Sequence, residues 1–144
     1  MKPIENITLA IIKPDAVAAG NAGKIIDRIL QTGFKIRASR IIHLTRGQAE
    51  DFYAVHRERP FYDELTTFMS SAPAMPLVLE KSGAVEEFRK LIGATDPAEA
   101  EKGTIRKDFA KNKGENAVHG SDSDENAQKE VAFFFAQSDI LGNF

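Results

Sequence analysis

The stretch Asn116-Ala117-Val118-His119-Gly120-Ser121-Asp122-Ser123-Asp124 gathers the residue types best suited to group transfer in this chain. A neutral imidazole is already nucleophilic near pH 7, so His119 can accept a group and hand it back. Gly120 gives the backbone room beside it. Ser121 and Asp124 have the spacing of a capping box, which predicts a helix N-terminus opening next to the imidazole. Exposed N–H groups and the helix dipole at such an end favour anions, phosphate above all. A His-Gly-Ser triplet alone has little specificity, because most such histidines are turn residues without chemistry. The rest of the chain has to supply the site.

A phosphate-handling imidazole needs cations. Lys13, Arg89 and Arg106 each end or follow an element beside a turn. Arg106 closes Gly103-Thr104-Ile105-Arg106, a loop whose glycine lets the backbone approach a ligand. Charge-assisted hydrogen bonds contribute roughly 1.5–3 kcal/mol each, so two or three would hold a triphosphate with little help from its base. Phe61, in Arg59-Pro60-Phe61-Tyr62, fits a core position and a nucleobase platform about equally well. As a platform it would add roughly 1–3 kcal/mol with little preference among bases. The other histidines have plainer roles: His43 on the polar face of a strand, His56 closing a helix where a cation suits the C-terminus. Gly20-Asn21-Ala22-Gly23-Lys24-Ile25 falls short of a P-loop in its glycine spacing and has Ile25 in place of the metal-binding hydroxyl, so it reads as a helix start.

The elements that must position these groups follow from periodicity. Thr8–Ile12 reads as a buried strand entering a turn at Lys13-Pro14-Asp15. Ile25, Ile26, Ile29 and Leu30 share one helical face, and Gly33 ends that helix. Phe34 to Leu44 alternates, with Phe34, Ile36, Ala38, Ile42 and Leu44 on one side of a half-buried strand and Arg40 the exception. Helices are expected from about Arg46 to Val55 and from Tyr62 to Met69, then a strand at Met75–Glu80 and a helix at Ala84–Ile92 stopped by Gly93. Asp96-Pro97 would start a short helical turn, and residues 103–118 read as a long loop with a short strand near Ala117-Val118. A last helix, from about Ser123 to Phe135, turns Ala127, Val131, Phe134 and Phe135 inward. This order predicts an α+β fold over residues 1–144 as one domain: a four-stranded antiparallel, ferredoxin-like βαββαβ sheet with helices on one face.

Composition narrows the classes. The 144 residues have a formal net charge of -2 and no cysteine, which removes disulfides, thiolate metal sites and thiol nucleophiles. A pI near 5.9 gives no basic footprint for nucleic acid. The apolar run Ile7–Ile12 is too short for a signal h-region or a membrane span, so a cytoplasmic location without membrane attachment is expected and the sequon Asn6-Ile7-Thr8 is idle.

From Thr8 to Phe135 the chain resembles nucleoside diphosphate kinase. The likeness rests on Ile12-Lys13-Pro14-Asp15-Ala16-Val17, Arg59-Pro60-Phe61-Tyr62, Leu91-Ile92-Gly93-Ala94-Thr95-Asp96-Pro97, Gly103-Thr104-Ile105-Arg106 and Asn116–Ser123, five motifs in register. The resemblance implies that His119 takes the γ-phosphoryl of a nucleoside triphosphate such as ATP and passes it to a diphosphate such as GDP by a ping-pong route. It further implies that Phe61 stacks on the base, that Lys13, Arg89, Thr95 and Arg106 bind phosphates, and that Lys13 lies near the ribose, whose hydroxyl Asn116 holds. Tyr53 would border the phosphohistidine, and Ser121 and Glu130 would support the imidazole. Mg²⁺ would ride on the β- and γ-phosphates without direct protein ligands, and the protein would be a homo-oligomer, tetramer or hexamer. Asn21-Ala22 and the charged Glu99-Ala100-Glu101-Lys102 depart from the usual pattern, the latter in a loop near subunit contacts in this family. A phosphohistidine carrier serving a protein acceptor, and a non-catalytic nucleotide-binding scaffold, are the alternatives.

Overall fold

The apolar run Ile7–Ile12 forms β1, and all six of its residues are buried. That burial on both sides already requires layers above and below the sheet. The structure, a computed structural model, describes residues 5–140. Its sheet has the order β2-β3-β1-β4, with β2 at Lys35–Ser39, β3 at Met75–Glu80 and β4 at Val118–Gly120. Every pairing is antiparallel: Leu9 opposes Val78, and Ile11 opposes both Pro76 and His119. This is the expected βαββαβ arrangement.

The helices, expected on one face, cover both. On one side Ala10, Ile12, Leu77, Leu79 and Val118 pack under Ile25 and Ile29 of α2 (Ala22–Gln31) and Phe88 and Ile92 of α5 (Ala84–Ile92). On the other, Ile7, Leu9, Ile11 and Val78 meet α3 (Arg46–Phe52), α4 (Tyr62–Met69) and α7 (Asp124–Phe134) through Ala49, Met69, Val131 and Phe134. Adjacent residues of β1 thus feed different cores, as a two-residue side-chain period demands.

Four local expectations need correction. The strand expected from Phe34 to Leu44 is confined to β2 over Lys35–Ser39, followed by an isolated bridge of Ile42 to Ala74, and its register with β3 shifts between Ile36 and Ala38. That shift re-aims the side chains: Phe34 and Ile36 join the first core, Ala38, Ile42 and Leu44 the second. Lys13-Pro14-Asp15 is the start of a short helix, α1 (Pro14–Ala18), since proline is pre-organised for a first helical position. Residues 103–118 hold a helix, α6 (Ile105–Phe109), capped by Thr104, whose side chain accepts from the Lys107 N–H. Asp96-Pro97, by contrast, starts the expected short helical turn: the Asp96 and Pro97 carbonyls accept from the Glu99 and Ala100 N–H groups (3.0 and 3.3 Å), and the Asp96 carboxylate accepts from the Ala98 N–H (2.9 Å). The helix α3 ends early, leaving Ala54–His56 as a 3₁₀ turn, and Gln137–Ile140 adds α8.

Candidate active site

His119 lies on β4, at the rim of the sheet, in the short strand expected near Ala117-Val118, which runs on to Gly120. Val118 enters the first core, so strand alternation turns the next side chain toward α3 and α7. There the imidazole meets Phe52 and Tyr53 edge-on, with ring centroids 5.6 and 6.3 Å away. From α7 comes Glu130, whose Oε1 accepts from His119 Nε2 at 2.7 Å and from Ser121 Oγ at 2.8 Å. A carboxylate only accepts, so the neutral imidazole carries its proton on Nε2 and keeps the Nδ1 lone pair.

Ser121 is fully buried and does not cap a helix. Its Oγ accepts from the Leu9 N–H (3.2 Å) and its own N–H donates to the Leu9 carbonyl (3.2 Å), which prolongs the β4 ladder. The cap of α7 is Ser123, whose side chain accepts from the Asn126 N–H (3.1 Å). The group α7 offers the imidazole is therefore the Glu130 carboxylate, not a helix N-terminus. Gly120 serves packing: a Cβ there would stand 2.9 Å from Phe88 Cδ2 and 3.1 Å from Ile92 Cδ1.

Three of the expected phosphate ligands converge. Lys13 Nζ donates to Asn116 Oδ1 (2.8 Å), and Asn116 Nδ2 donates to the Thr95 carbonyl (3.2 Å). Arg106 donates to the carbonyls of Gly93 (3.0 Å) and Val118 (2.9 Å), the latter adjacent to His119. Lys13 and Arg106 are both buried. Burial first, and then the Arg106 charge, brings Lys13 down to about 8, with Asp15 opposing. Burial, and then Arg89, brings Arg106 down to about 10. Like charges are thus held together out of water, a costly arrangement that an anion would relieve.

Two buried donors in this cluster, Tyr53 OH and Arg106 Nε, have no partner among the described residues. Burial, followed by the Glu130 charge, pushes the Tyr53 hydroxyl up, so it stays a donor at neutral pH. Phe61 is half-exposed and precedes α4, so it is no core residue. It touches His56, whose ring sits 5.4 Å from Phe61 and 6.3 Å from Tyr53. His56 therefore does more than close a helix. His43 is exposed, as expected, with Nε2 2.9 Å from the Ser70 carbonyl. Arg89 and Thr95 are exposed at the end of α5 and just beyond it.

Sequence reasoning passed over Phe52, since an aromatic in an amphipathic helix reads as core. It also passed over Asp15, whose Oδ2 accepts from the Ala117 N–H at 3.0 Å.

The family model for nucleoside diphosphate kinase matches residues 6–140. The chain belongs to the nucleoside diphosphate kinase family. It is 53% identical over 136 residues to the nucleoside diphosphate kinase of Salinibacter ruber, covering 94% of this chain and 96% of the relative. With that of Nitratiruptor sp. it shares 58% over 134 residues, 93% of this chain and 98% of the other. The Aquifex aeolicus nucleoside diphosphate kinase superposes with a TM-score of 0.92 at 47% identity, over 94% of this chain and 99% of that one. A Halobacterium salinarum nucleoside diphosphate kinase in complex with CDP gives 0.90 at 36% identity, over 94% and 91%. The chain is accordingly a phosphotransferase of the nucleoside diphosphate kinase type. Among the described residues of this kinase, no helix is long and apolar enough to cross a membrane.

Proposed function

We propose that this kinase moves the γ-phosphoryl of a nucleoside triphosphate, typically ATP, to a nucleoside diphosphate by a ping-pong route through a phosphohistidine on His119. The observation that carries this is the Nε2–Glu130 hydrogen bond, which leaves the Nδ1 lone pair of the neutral ring as nucleophile on a strand whose preceding residue, Val118, is bonded to the buried Arg106. In the first half-reaction Nδ1 attacks Pγ in line. The bond from Pγ to the β,γ-bridging oxygen breaks, and the diphosphate leaves with that electron pair. Charge gained by the ring is met through Nε2–H by Glu130, itself oriented by Ser121. In the second, a β-phosphate oxygen of another diphosphate attacks the phosphorus and Nδ1 regains its pair. Donor and acceptor are alike, so one site serves both halves.

Lys13, Arg106, Arg89 and Thr95 would bind the phosphates, and the unpartnered Tyr53 OH and Arg106 Nε would supply donors at the phosphohistidine. Phe61 would stack on the base without reading its edge, which allows broad base tolerance. Asn116, buried and bonded to Lys13, would offer its remaining Oδ1 lone pair to a sugar hydroxyl. The cluster's donors are cationic, which suits phosphate oxygens and repels a bare metal cation. Mg²⁺ would therefore come with the nucleotide's own phosphates, where it neutralises their charge.

Assembly as a homo-oligomer is supported by the β2 edge of the sheet and by Ile41 and Phe133, which stay 70% and 41% exposed. Free nucleotides as substrates and a cysteine-free sequence fit a cytoplasmic protein.

Labelled ATP followed by unlabelled GDP or dTDP tests the reading. Label that is acid-labile, lost in His119→Ala and recovered in GTP or dTTP is the expected result. Label that no diphosphate removes would point to a carrier, and no label to a scaffold.

A further inference from the structure

We propose that Asp15 is a positioning residue, whose carboxylate holds a left-handed turn at Ala117 and thereby sets Asn116 and His119 in their working places. This rests on the transfer reaction proposed above.

Ala117 has φ +72°, in the region that favours glycine. Across it the Val118 N–H donates to the Asn116 carbonyl at 2.8 Å, closing a three-residue γ-turn. With a positive central φ this turn is the rare, strained kind, and an alanine stays there only when its surroundings enforce it. Three constraints do so. The Ala117 side chain is fully buried in the first core, its carbonyl accepts from the Lys13 N–H (2.8 Å), and its N–H donates to Asp15 Oδ2 (3.0 Å). Only the last is a side-chain bond, and it spans 102 residues of sequence.

The turn matters because of what flanks it. Asn116, on one side, meets Lys13 Nζ and the Thr95 carbonyl. Val118, on the other, enters the core and starts the ladder on which Ile11 opposes His119. An extended residue at 117 would keep the chain alternating in one plane, and Asn116 and His119 could not both keep these contacts. The clamp and the alternative, in which Asp15 acts by its charge on nearby Lys13, make opposite demands on substitution.

The full-length chain and its variants would be mixed with saturating labelled ATP in a rapid-quench instrument, giving the rate and amplitude of His119 labelling, and the KM for ATP. In Asp15→Ala the rate is expected to fall about 10- to 100-fold, the cost of a misplacement near 1 Å. Its amplitude should stay near that of the unsubstituted chain, and KM should rise less than the rate falls, because Arg89 and Phe61 lie off the turn while Asn116, and Arg106 through the Val118 carbonyl, are tied to it. Asp15→Asn, whose amide oxygen still accepts from Ala117, should keep at least about half the rate. Ala117→Gly added to Asp15→Ala should restore roughly tenfold, since glycine takes a positive φ unaided. Should Asp15→Ala fail to fold, Asp15→Ser, too short for the same bond, takes its place with the same expectations. An Asp15→Ala rate within about twofold of the unsubstituted chain would overturn the assignment. So would an Asp15→Asn as slow as Asp15→Ala with no gain from glycine, which would assign the effect to the charge on Lys13. Absence of His119 labelling in the unsubstituted chain would overturn the transfer reaction and this inference together, whereas normal labelling unaffected by Asp15→Ala would overturn this inference alone.

Discussion

Replacing Glu130 by glutamine tests the tautomer argument at its narrowest point. The Oε1 atom accepts from both His119 Nε2 and Ser121 Oγ, at 2.7 and 2.8 Å, and both partners of the first bond are about one-fifth exposed (17% and 20%). Glutamine keeps one acceptor but loses the charge, and its amide group turns two donors toward a site that holds donors already. A hydrogen bond to a charged group contributes roughly 1.5–3 kcal/mol against 0.5–1.5 for a neutral one. The charge develops on the ring as phosphorus bonds to Nδ1, so the loss falls on the transition state. With two bonds affected, about 1.5–3 kcal/mol is expected, or roughly 10- to 100-fold in kcat. KM should move by less than about twofold, because the bond lies on the ring edge opposite Nδ1, the atom proposed to meet the phosphoryl group. Rapid-quench labelling of His119 measures the rate, and ¹⁵N-edited NMR of the imidazole reads the tautomer. A kcat within twofold of the parent, or an Nδ1–H tautomer in the unsubstituted protein, would refute the reasoning.

Lys13 sits at about 8, below the ordinary 10.5. The unfolded chain therefore binds more protons between those values, and the ligand-free protein should gain stability as pH rises through that window. A bound phosphate favours the ammonium, so the Kd for ADP should weaken about tenfold from pH 7.5 to 9, with proton uptake seen by calorimetry in buffers of different ionisation enthalpy. A Kd constant from pH 7 to 9.5 would exclude a phosphate-binding Lys13. Gly120→Ala forces a methyl against the fully buried Phe88 ring, and should cost about 1–3 kcal/mol, lowering Tm by about 3–10 °C in thermal unfolding. Phe61→Ala should weaken ADP, GDP, CDP and dTDP alike, by about 1–3 kcal/mol in equilibrium titration; a loss confined to one base would contradict stacking.

Much of this was readable from the chain itself. Met75–Glu80, Ala84–Ile92 and Tyr62–Met69 have strong periodicity between clear breakers, and the structure keeps those bounds. Ile7–Ile12 announced a buried strand but not that helices cover both its faces, because a continuous apolar run carries no facing information. The bulge between Ile36 and Ala38 was hidden, since an inserted residue leaves an alternating pattern intact while it switches the face. The helix α6 was lost among charges, its only mark being Thr104 three residues before Lys107. At the site, residue types pointed to His119 and the cations, but the Asp15–Ala117 and Ser121–Leu9 bonds depend on distant segments meeting. Ser121 and Ser123 are both competent caps, and only the length of β4 decides between them.

The bonds that define this pocket tie together residues 102, 103 and 112 positions apart in the chain. Each closes a long loop, whose entropy must be spent before the contact returns anything. A nascent chain released as far as β3 can pair three strands yet hold no pocket, since Asn116 and His119 have still to arrive. Under the proposed reaction, catalytic competence therefore requires β4 and the Glu130 of α7 that follows it, and turnover would be a direct readout of completed topology.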